Sequence, residues 1–532
     1  MTIGSGHWKR RLAKVFVVLL LIAIPAGAFG WYKFFRQVAQ PAWITGSPEM
    51  NFLYGSIGSE NQAGLPYWIV VVLPRIFGEY LPGPGGYASL GLPWQEGQEF
   101  PAGFSKKTIG FDRVAFNCAL CHATQYRTAE RQTPTIVAAG GSHTADIQGL
   151  LDFFSKAAND PRFNADTILA EIDLATRLST VDRLIYKYLL IPIARKRLIE
   201  RGREFAWADT RPRWGPGRDA PMNLTKFNLL HMKVDDSIDH TDFPSIWNLN
   251  ARMQPSRSWP EQDFSRTADL AKLGIPPNRL MLMNLAGDTT SIRSVLIDSA
   301  LGLQAENSRF FRTRMADIEA WLRVVPAPRF PVPATAAEAS LVPAGQALFD
   351  THCATCHKTG EDNRMGTIVP LEEIGTDPER ARSWSREAAD GTNAVVVTLG
   401  LQRTPMSKPD RPGYIAVPLH GLWLRAPYLH NGSVPTVADM LESPSCRPKT
   451  FYRGFDVLDG DRVGFVARRC DEPLPVADGS CPAPPAQNAC MPPSAGWRYD
   501  TAQRGNGNAG HEYGTTLSLE EKRALIAFLK TL

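Results

Sequence analysis

The chain has 532 residues, 44% of them hydrophobic, and a formal net charge of +5. That length calls for two or three domains around a sizeable core. Lys9, Arg10, Arg11 and Lys14 carry four of the positive charges in an acid-free leader, so the body is near neutral and lacks the basic footprint of a nucleic-acid binder.

The first predicted element is the leader. Its basic stretch precedes an apolar run of 18 residues, Val15–Tyr32, broken only by Pro25 and small residues, and this is the lower limit for crossing a bilayer. Ala26-Gly27-Ala28 resembles a small-residue cleavage site. Residues 1–35 are expected to be a signal peptide or a retained membrane anchor. Either use exports the body to the periplasm.

Next comes Cys118-Ala119-Leu120-Cys121-His122. The pattern returns as Cys353-Ala354-Thr355-Cys356-His357, its first cysteine 235 residues further on. Cys-x-x-Cys-His is the attachment signature of c-type haem. Two intervening residues let both thiols of one helical turn reach the two haem vinyl groups, and the following His lies under the iron as proximal ligand. A four-cysteine zinc site is the competing use of two Cys-x-x-Cys pairs, but it does not account for a His in register in both. The expected cofactors are two covalently bound haems c, attached through Cys118, Cys121, Cys353 and Cys356, with His122 and His357 on the irons. Such attachment occurs outside the cytoplasm, in agreement with the leader.

Between the motifs, Ile147, Leu150, Leu151 and Phe154 predict a helix over Asp146–Ala157, and a second is predicted over Ala165–Leu178. Val181–Phe205 is apolar in its first half and basic in its second, through Arg195, Lys196, Arg197, Arg201 and Arg203, and Pro192 is expected to kink it. It reads as a core helix with a solvated basic end in preference to a membrane-surface helix. Ala316–Val325 predicts a closing helix that Pro326 stops, with Pro-rich chain to Pro333. The predicted boundary follows, giving an N-terminal haem domain over 36–333 and a C-terminal one over 334–532. In the second, Ala344–Phe349 leads into the haem motif and Leu517–Leu532 closes the chain as an amphipathic helix. With 43 Gly and 42 Pro, long loops are expected. The expected fold class is mainly α, with two tandem cytochrome c-like haem domains and extra helices in the first. Cys446, Cys470, Cys481 and Cys490 lie in the Pro-rich stretch Ser443–Trp497. In an oxidising compartment they predict two disulfides, in any of three pairings.

The group opposite each proximal His decides between electron transfer and chemistry. For the second haem the candidates are Met406, Met440, His420, His430 and His511. His511 lies in Gly505–Gly514, where glycine and asparagine let the backbone approach a cofactor closely. His430 reads rather as a packing or hydrogen-bonding residue. For the first haem the choices are His143, as a reversible ligand, or an open position lined by Phe243, Pro244, Ile246 and Trp247. An open iron takes oxygen or peroxide, and a six-coordinate one passes electrons.

The two motifs, together with Arg425-Ala426-Pro427-Tyr428-Leu429-His430-Asn431-Gly432-Ser433-Val434-Pro435-Thr436, resemble the bacterial dihaem cytochrome c peroxidase superfamily. A narrower resemblance is to the rubber oxygenase and the dihaem bacterial fatty-acid dioxygenases. It rests on Tyr54-Gly55-Ser56-Ile57-Gly58-Ser59-Glu60 with Leu65-Pro66-Tyr67-Trp68, on Asn117 before the first motif, on Asp242-Phe243-Pro244-Ser245-Ile246-Trp247-Asn248, and on Gly510-His511-Glu512-Tyr513-Gly514. It implies that the haem on His122 is the oxygen-binding one and that the haem on His357 is completed by His511. Met281–Thr290 departs from the aromatic, His-containing stretch expected there, which bears on the substrate. The expected function is an exported dioxygenase that oxidises an apolar unsaturated, lipid-like substrate with O2 at the N-terminal haem. A small redox protein is the expected electron donor, and the N-terminal helix the expected membrane contact. The alternatives are a dihaem cytochrome c peroxidase reducing H2O2 and a non-enzymatic electron carrier.

Overall fold

The computed structural model describes residues 5–249, 282–358, 363–472, 481 and 489–532. Met281 and much of the Pro-rich stretch between Cys470 and Cys490 lie outside the described residues. The chain opens with one continuous helix, α1, Ser5–Phe34. Its residues Arg10–Phe34, 25 in all and containing an 18-residue window of mean hydropathy 2.4, are long and apolar enough to cross a membrane, and a signal sequence meets the same test.

The body begins with a small antiparallel sheet. Strands β1, Phe104–Ile109, and β2, Phe111–Phe116, form a hairpin, and Leu65–Pro66 adds to the free side of β2. The other described sheets are two-stranded ribbons. Helices supply the bulk. Helix α2, Ile147–Asn159, starts where the Asp146 carboxylate accepts from Gly149 N. Helix α3, Ala165–Ala175, is shorter than the periodicity predicts, because Thr176 turns extended.

The third predicted segment is divided rather than simply kinked. Helix α4, Thr180–Ile185, runs into a π turn, Tyr186–Leu190, and then into α5, Ile191–Glu204. Pro192 has no N–H to continue an α ladder, and the turn before it slips by one residue, with Ile191 N donating to Tyr186 O. Pro192 therefore sits in the first turn of α5, where proline is tolerated.

Helix α6, Arg309–Val324, ends at the predicted stop. Helices α7, Ala336–His352, and α8, Leu519–Leu529, each begin with a capping box, Thr335 with Glu338 and Ser518 with Glu521. They cross at Gly345, where a Cβ would stand 2.0 Å from the Ala524 carbonyl oxygen, and Phe349 packs on Phe528 with ring centres 5.2 Å apart. One core lies under α2 to α5 and contains Phe104, Leu120, Phe153, Ile168, Leu198 and Phe243. The larger core contains Phe52, Ala119, Trp247 and Leu322 together with Phe349, Trp423 and Leu525. It thus runs across the boundary predicted at 333/334. The stretch 443–497 is tied by disulfides Cys446–Cys481 and Cys470–Cys490.

Candidate functional site

Two short helical turns present the chemistry. The first, Ala119–His122, follows β2. Gly103 at the start of β1 passes so close beneath it that a Cβ there would lie 2.3 Å from Leu120 Cα. Asn117 fastens the turn to the loop after residue 53. Its Nδ2 donates to Gly55 O at 2.9 Å, and its Oδ1 accepts from Ala119 N at 2.9 Å. The Tyr54–Glu60 stretch is therefore a brace for this turn, with Arg314 Nε donating to Ser56 O at 3.2 Å. His122 donates from Nδ1 to Pro244 O at 3.0 Å. Desolvation pushes its pKa down to about 4 against the pull of that carbonyl.

The second turn, Ala354–His357, follows α7 directly. His357 donates from Nδ1 to Val417 O at 2.7 Å, and desolvation again lowers its pKa. A carbonyl can only accept, so in each ring the proton sits on Nδ1 and Nε2 keeps its lone pair, which is the tautomer a metal requires. None of the four motif cysteines is in a disulfide, which leaves their sulfurs for thioether bonds. Desolvation holds Cys118 and Cys353 up at about 11.

Opposite His357 stands His511, with ring centres 6.2 Å apart and planes at 46°. A metal–imidazole bond of about 2 Å puts a ring centre about 3 Å from the metal, so two axial imidazoles stand about 6 Å apart. The pair fits an iron between them. His511 reaches this place from a strained backbone. Gly510 and His511 both have positive φ, His511 N donates to Ile374 O at 2.8 Å, and a Cβ on Gly510 would meet Gly375 C at 2.3 Å. Buried Arg447 clamps the loop, its Nη1 donating to both Asn508 O and Gly510 O at 2.7 Å. Desolvation first, then the fields of His357 and Arg447, holds His511 neutral, at about 3.

The remaining candidates lie elsewhere. His430 stacks on Tyr414 and its Nε2 pairs with the Tyr414 hydroxyl at 2.9 Å. His143 is buried, stacks on Phe465 at 3.7 Å and bonds Thr124 Oγ1 at 2.9 Å through Nδ1. Met406 is buried with its N–H held by Asn393 Oδ1. Met440 ends a short helix against the larger core. His240 is buried beside Gly505, and His231, His352 and His420 are exposed. Among the described residues no histidine ring faces His122 as His511 faces His357.

Phe243 and Trp247 belong to different cores. Phe243 lies in the core under α2 to α5, and its N–H donates to Gly217 O at 3.0 Å. Trp247 lies between the two halves, where its Nε1 donates to His420 O at 3.0 Å and its ring packs on Gly140 and Gly421. Pro244 and Trp247 are three residues apart, as are Val417 and His420. The carbonyl acceptors of the two proximal histidines are thus joined through one indole N–H bond. The Asp242 carboxylate accepts from Arg453 Nη2 at 2.7 Å. Burial pushes its pKa up to about 6 against the pull of Arg453 and Arg218. Sequence reasoning missed Arg447, Arg453 and Arg218; nothing in their spacing separates buried clamps from surface arginines.

Residues 413–452 match the profile of a family described as RoxA-like, cytochrome c-like. The stretch holds Val417, the Arg425–Thr436 segment and Arg447. A cytochrome c-like domain implies covalently bound haem c and a haem oxidoreductase. Two relatives are the uncharacterized proteins y4iJ and y4iM of Sinorhizobium fredii (strain NBRC 101917 / NGR234). The first is 29% identical over 256 residues, 37% of this chain and 39% of its own length. The second is 29% identical over 282 residues, 48% of this chain and 57% of its own length. The chain therefore spans about two fifths of one relative and somewhat over half of the other.

Proposed function

We propose that the chain is an exported dihaem c oxidoreductase that oxidises an apolar unsaturated substrate with dioxygen at the haem on His122, while the haem on His357 and His511 relays electrons. The observation that supports this best is the asymmetry of the two proximal histidines. His357 has an imidazole at ligand spacing across from it, and among the described residues His122 has none. When bound, haem c supplies an iron that exchanges one electron and, where an axial position is open, reacts with dioxygen or peroxide.

The chain's own groups do the rest. Pro244 O and Val417 O orient His122 and His357, and burial keeps both rings neutral. The Asn117 and Arg314 bonds hold the first turn against the 53–56 loop. Trp247, with its N–H on His420 O, joins the segments that carry the Pro244 and Val417 acceptors and suits a path for electrons. Phe243, next to the Pro244 acceptor and buried in the core under α2 to α5, backs the Nδ1 side of His122 and helps to hold that ring in place.

The test is product analysis with unsaturated fatty acids and polyisoprene, under oxygen and then under peroxide. Oxygen uptake coupled to cleavage or oxygenation of the substrate is expected, lost in His122→Ala and altered in Phe243→Ala. Rapid peroxide-dependent oxidation of reduced cytochrome c with no lipid product would assign a peroxidase instead. Neither activity, with two irons that refuse carbon monoxide when reduced, would leave an electron carrier.

A further inference from the structure

The end of α1 is built into the body. Gly110, at the tip of the β1–β2 hairpin, lies so close to it that a Cβ there would stand 2.3 Å from both Lys33 O and Phe34 Cα. Lys33 Nζ pairs with the Asp182 carboxylate of α4 at 2.5 Å. Around this junction the surface is apolar and uncovered. Trp31, Phe35 and Trp43 are 59%, 68% and 49% exposed. On α4 and the π turn, flanking Asp182, Val181, Leu184 and Tyr188 are 43%, 51% and 70% exposed. Their i, i+3, i+7 spacing places them on one face. The opposite side of the same segment, Tyr186, Leu190, Ala194 and Leu198, is buried in the core. The charge is also one-sided: residues 174–204 hold eight Arg and Lys against three Asp and Glu, of which Arg183 and Lys187 pair with Asp173 and Asp166 of α3.

We propose that the body rests on the bilayer through this face, with Val181, Leu184 and Tyr188 entering the headgroup–acyl boundary beside the point where α1 leaves the membrane, and that the lipid it favours is anionic. The tryptophans and phenylalanine at the foot of α1 form the aromatic collar of an interfacial anchor. An apolar stripe with flanking arginine and lysine is the composition of a helix lying in the interface plane, and juxtamembrane basic residues are drawn to anionic lipid. The Lys33–Asp182 pair and the Gly110 contact leave little slack, so α4 is held close to the membrane plane. Scattered exposed apolar residues need no partner, but a contiguous set at a membrane exit does.

The test uses the full-length holoprotein reconstituted in vesicles of phosphatidylcholine, with and without phosphatidylglycerol. An environment-sensitive dye is attached to Leu184→Cys or Tyr188→Cys, and to Val397→Cys as a control on a 75% exposed site. The native cysteines are consumed by haem or disulfides and do not label, and unchanged haem absorbance certifies each variant. Blue-shifted emission and quenching by brominated acyl chains are expected at 184 and 188 but not at 397, stronger with phosphatidylglycerol and weakened by salt. Water-like emission at both 184 and 188 in the anionic vesicles would overturn the proposal. Equal shifts with and without phosphatidylglycerol would overturn its anionic part.

Discussion

Arg447 spends its entire guanidinium on backbone. Nε donates to Glu442 O, Nη1 to Asn508 O and Gly510 O, and Nη2 to Met440 O and His511 O. A planar fork of five donors meets five carbonyls, which lysine cannot do. Arg447→Met is expected to cost about 2–4 kcal/mol from carbonyls left unpaired and, on the proposed ligation of the second haem by His511, to weaken the low-spin signal of that haem with haem content unchanged. Electron paramagnetic resonance beside a haemochrome assay checks this. A weakened signal that Arg447→Lys restores in full would refute the five-donor argument. His143 carries a pH consequence. Burial and the field of Arg453 lower its pKa from 6.5 to about 3. Between those values the unfolded chain binds a proton that the folded chain refuses, so stability present above pH 6.5 is lost as pH falls toward 3. His143→Gln should lower stability at pH 7 yet flatten its acid decline, and urea midpoints at pH 7 and 4.5, each compared with the parent, report the difference. At this scale sequence was informative where chemistry dictates spacing, as in Cys118–His122, and where glycine and asparagine mark a close approach, as around His511. It could not show that Pro244 and Val417 serve through their carbonyls, since every residue has one.

Among the elements, the α7–α8 crossing is the most demanding contact. Gly345 permits backbone-to-backbone approach, and any side chain there must push α8 away from the haem-bearing turn that α7 delivers. Gly345→Val is expected to destabilise by at least about 2 kcal/mol through overpacking. Gly302→Ala, at the exposed end of its helix with nothing within 4 Å of the new methyl, should stay within about 0.5 kcal/mol. Thermal melts of the two variants make the comparison, and equal shifts would mean that the crossing has slack. Periodicity located α2, α3, α6 and α8 because one face of each is buried. It gave 181–205 as one helix kinked at Pro192, because a π turn and a kink share the same apolar residues, and only the slipped bond from Ile191 N to Tyr186 O distinguishes them.

At the scale of the molecule, the repeated Cys-x-x-Cys-His motif and the Pro-rich stretch after Pro326 lead sequence reasoning to expect two units. Their sharing of one core is not legible there, because residues such as Phe52, Trp247 and Leu525 meet only in three dimensions. The halves are also stitched through polar groups. Arg127 N donates to Asp456 O and Leu458 N to Arg127 O, each at 2.8 Å, and the Asp456 carboxylate accepts from Arg127 Nε and Gln125 Nε2 at 2.8 Å. Trp423 of the second half donates from Nε1 to Pro328 O at 2.9 Å across the predicted boundary. If the halves were independent domains, each haem would report its own transition. A continuous core makes the opening of one half expose apolar surface of the other, so the two should unfold as one cooperative unit. Urea titration followed by far-ultraviolet circular dichroism and by the high-spin and low-spin markers expected of the two proposed haems, on His122 and His357, should give one coincident midpoint. Asp456→Ala should move all three together, because it removes the carboxylate that joins the halves rather than a contact inside either. Separated midpoints, with only one haem signal shifted by Asp456→Ala, would show that the boundary near residue 333 divides the molecule energetically as well as in sequence.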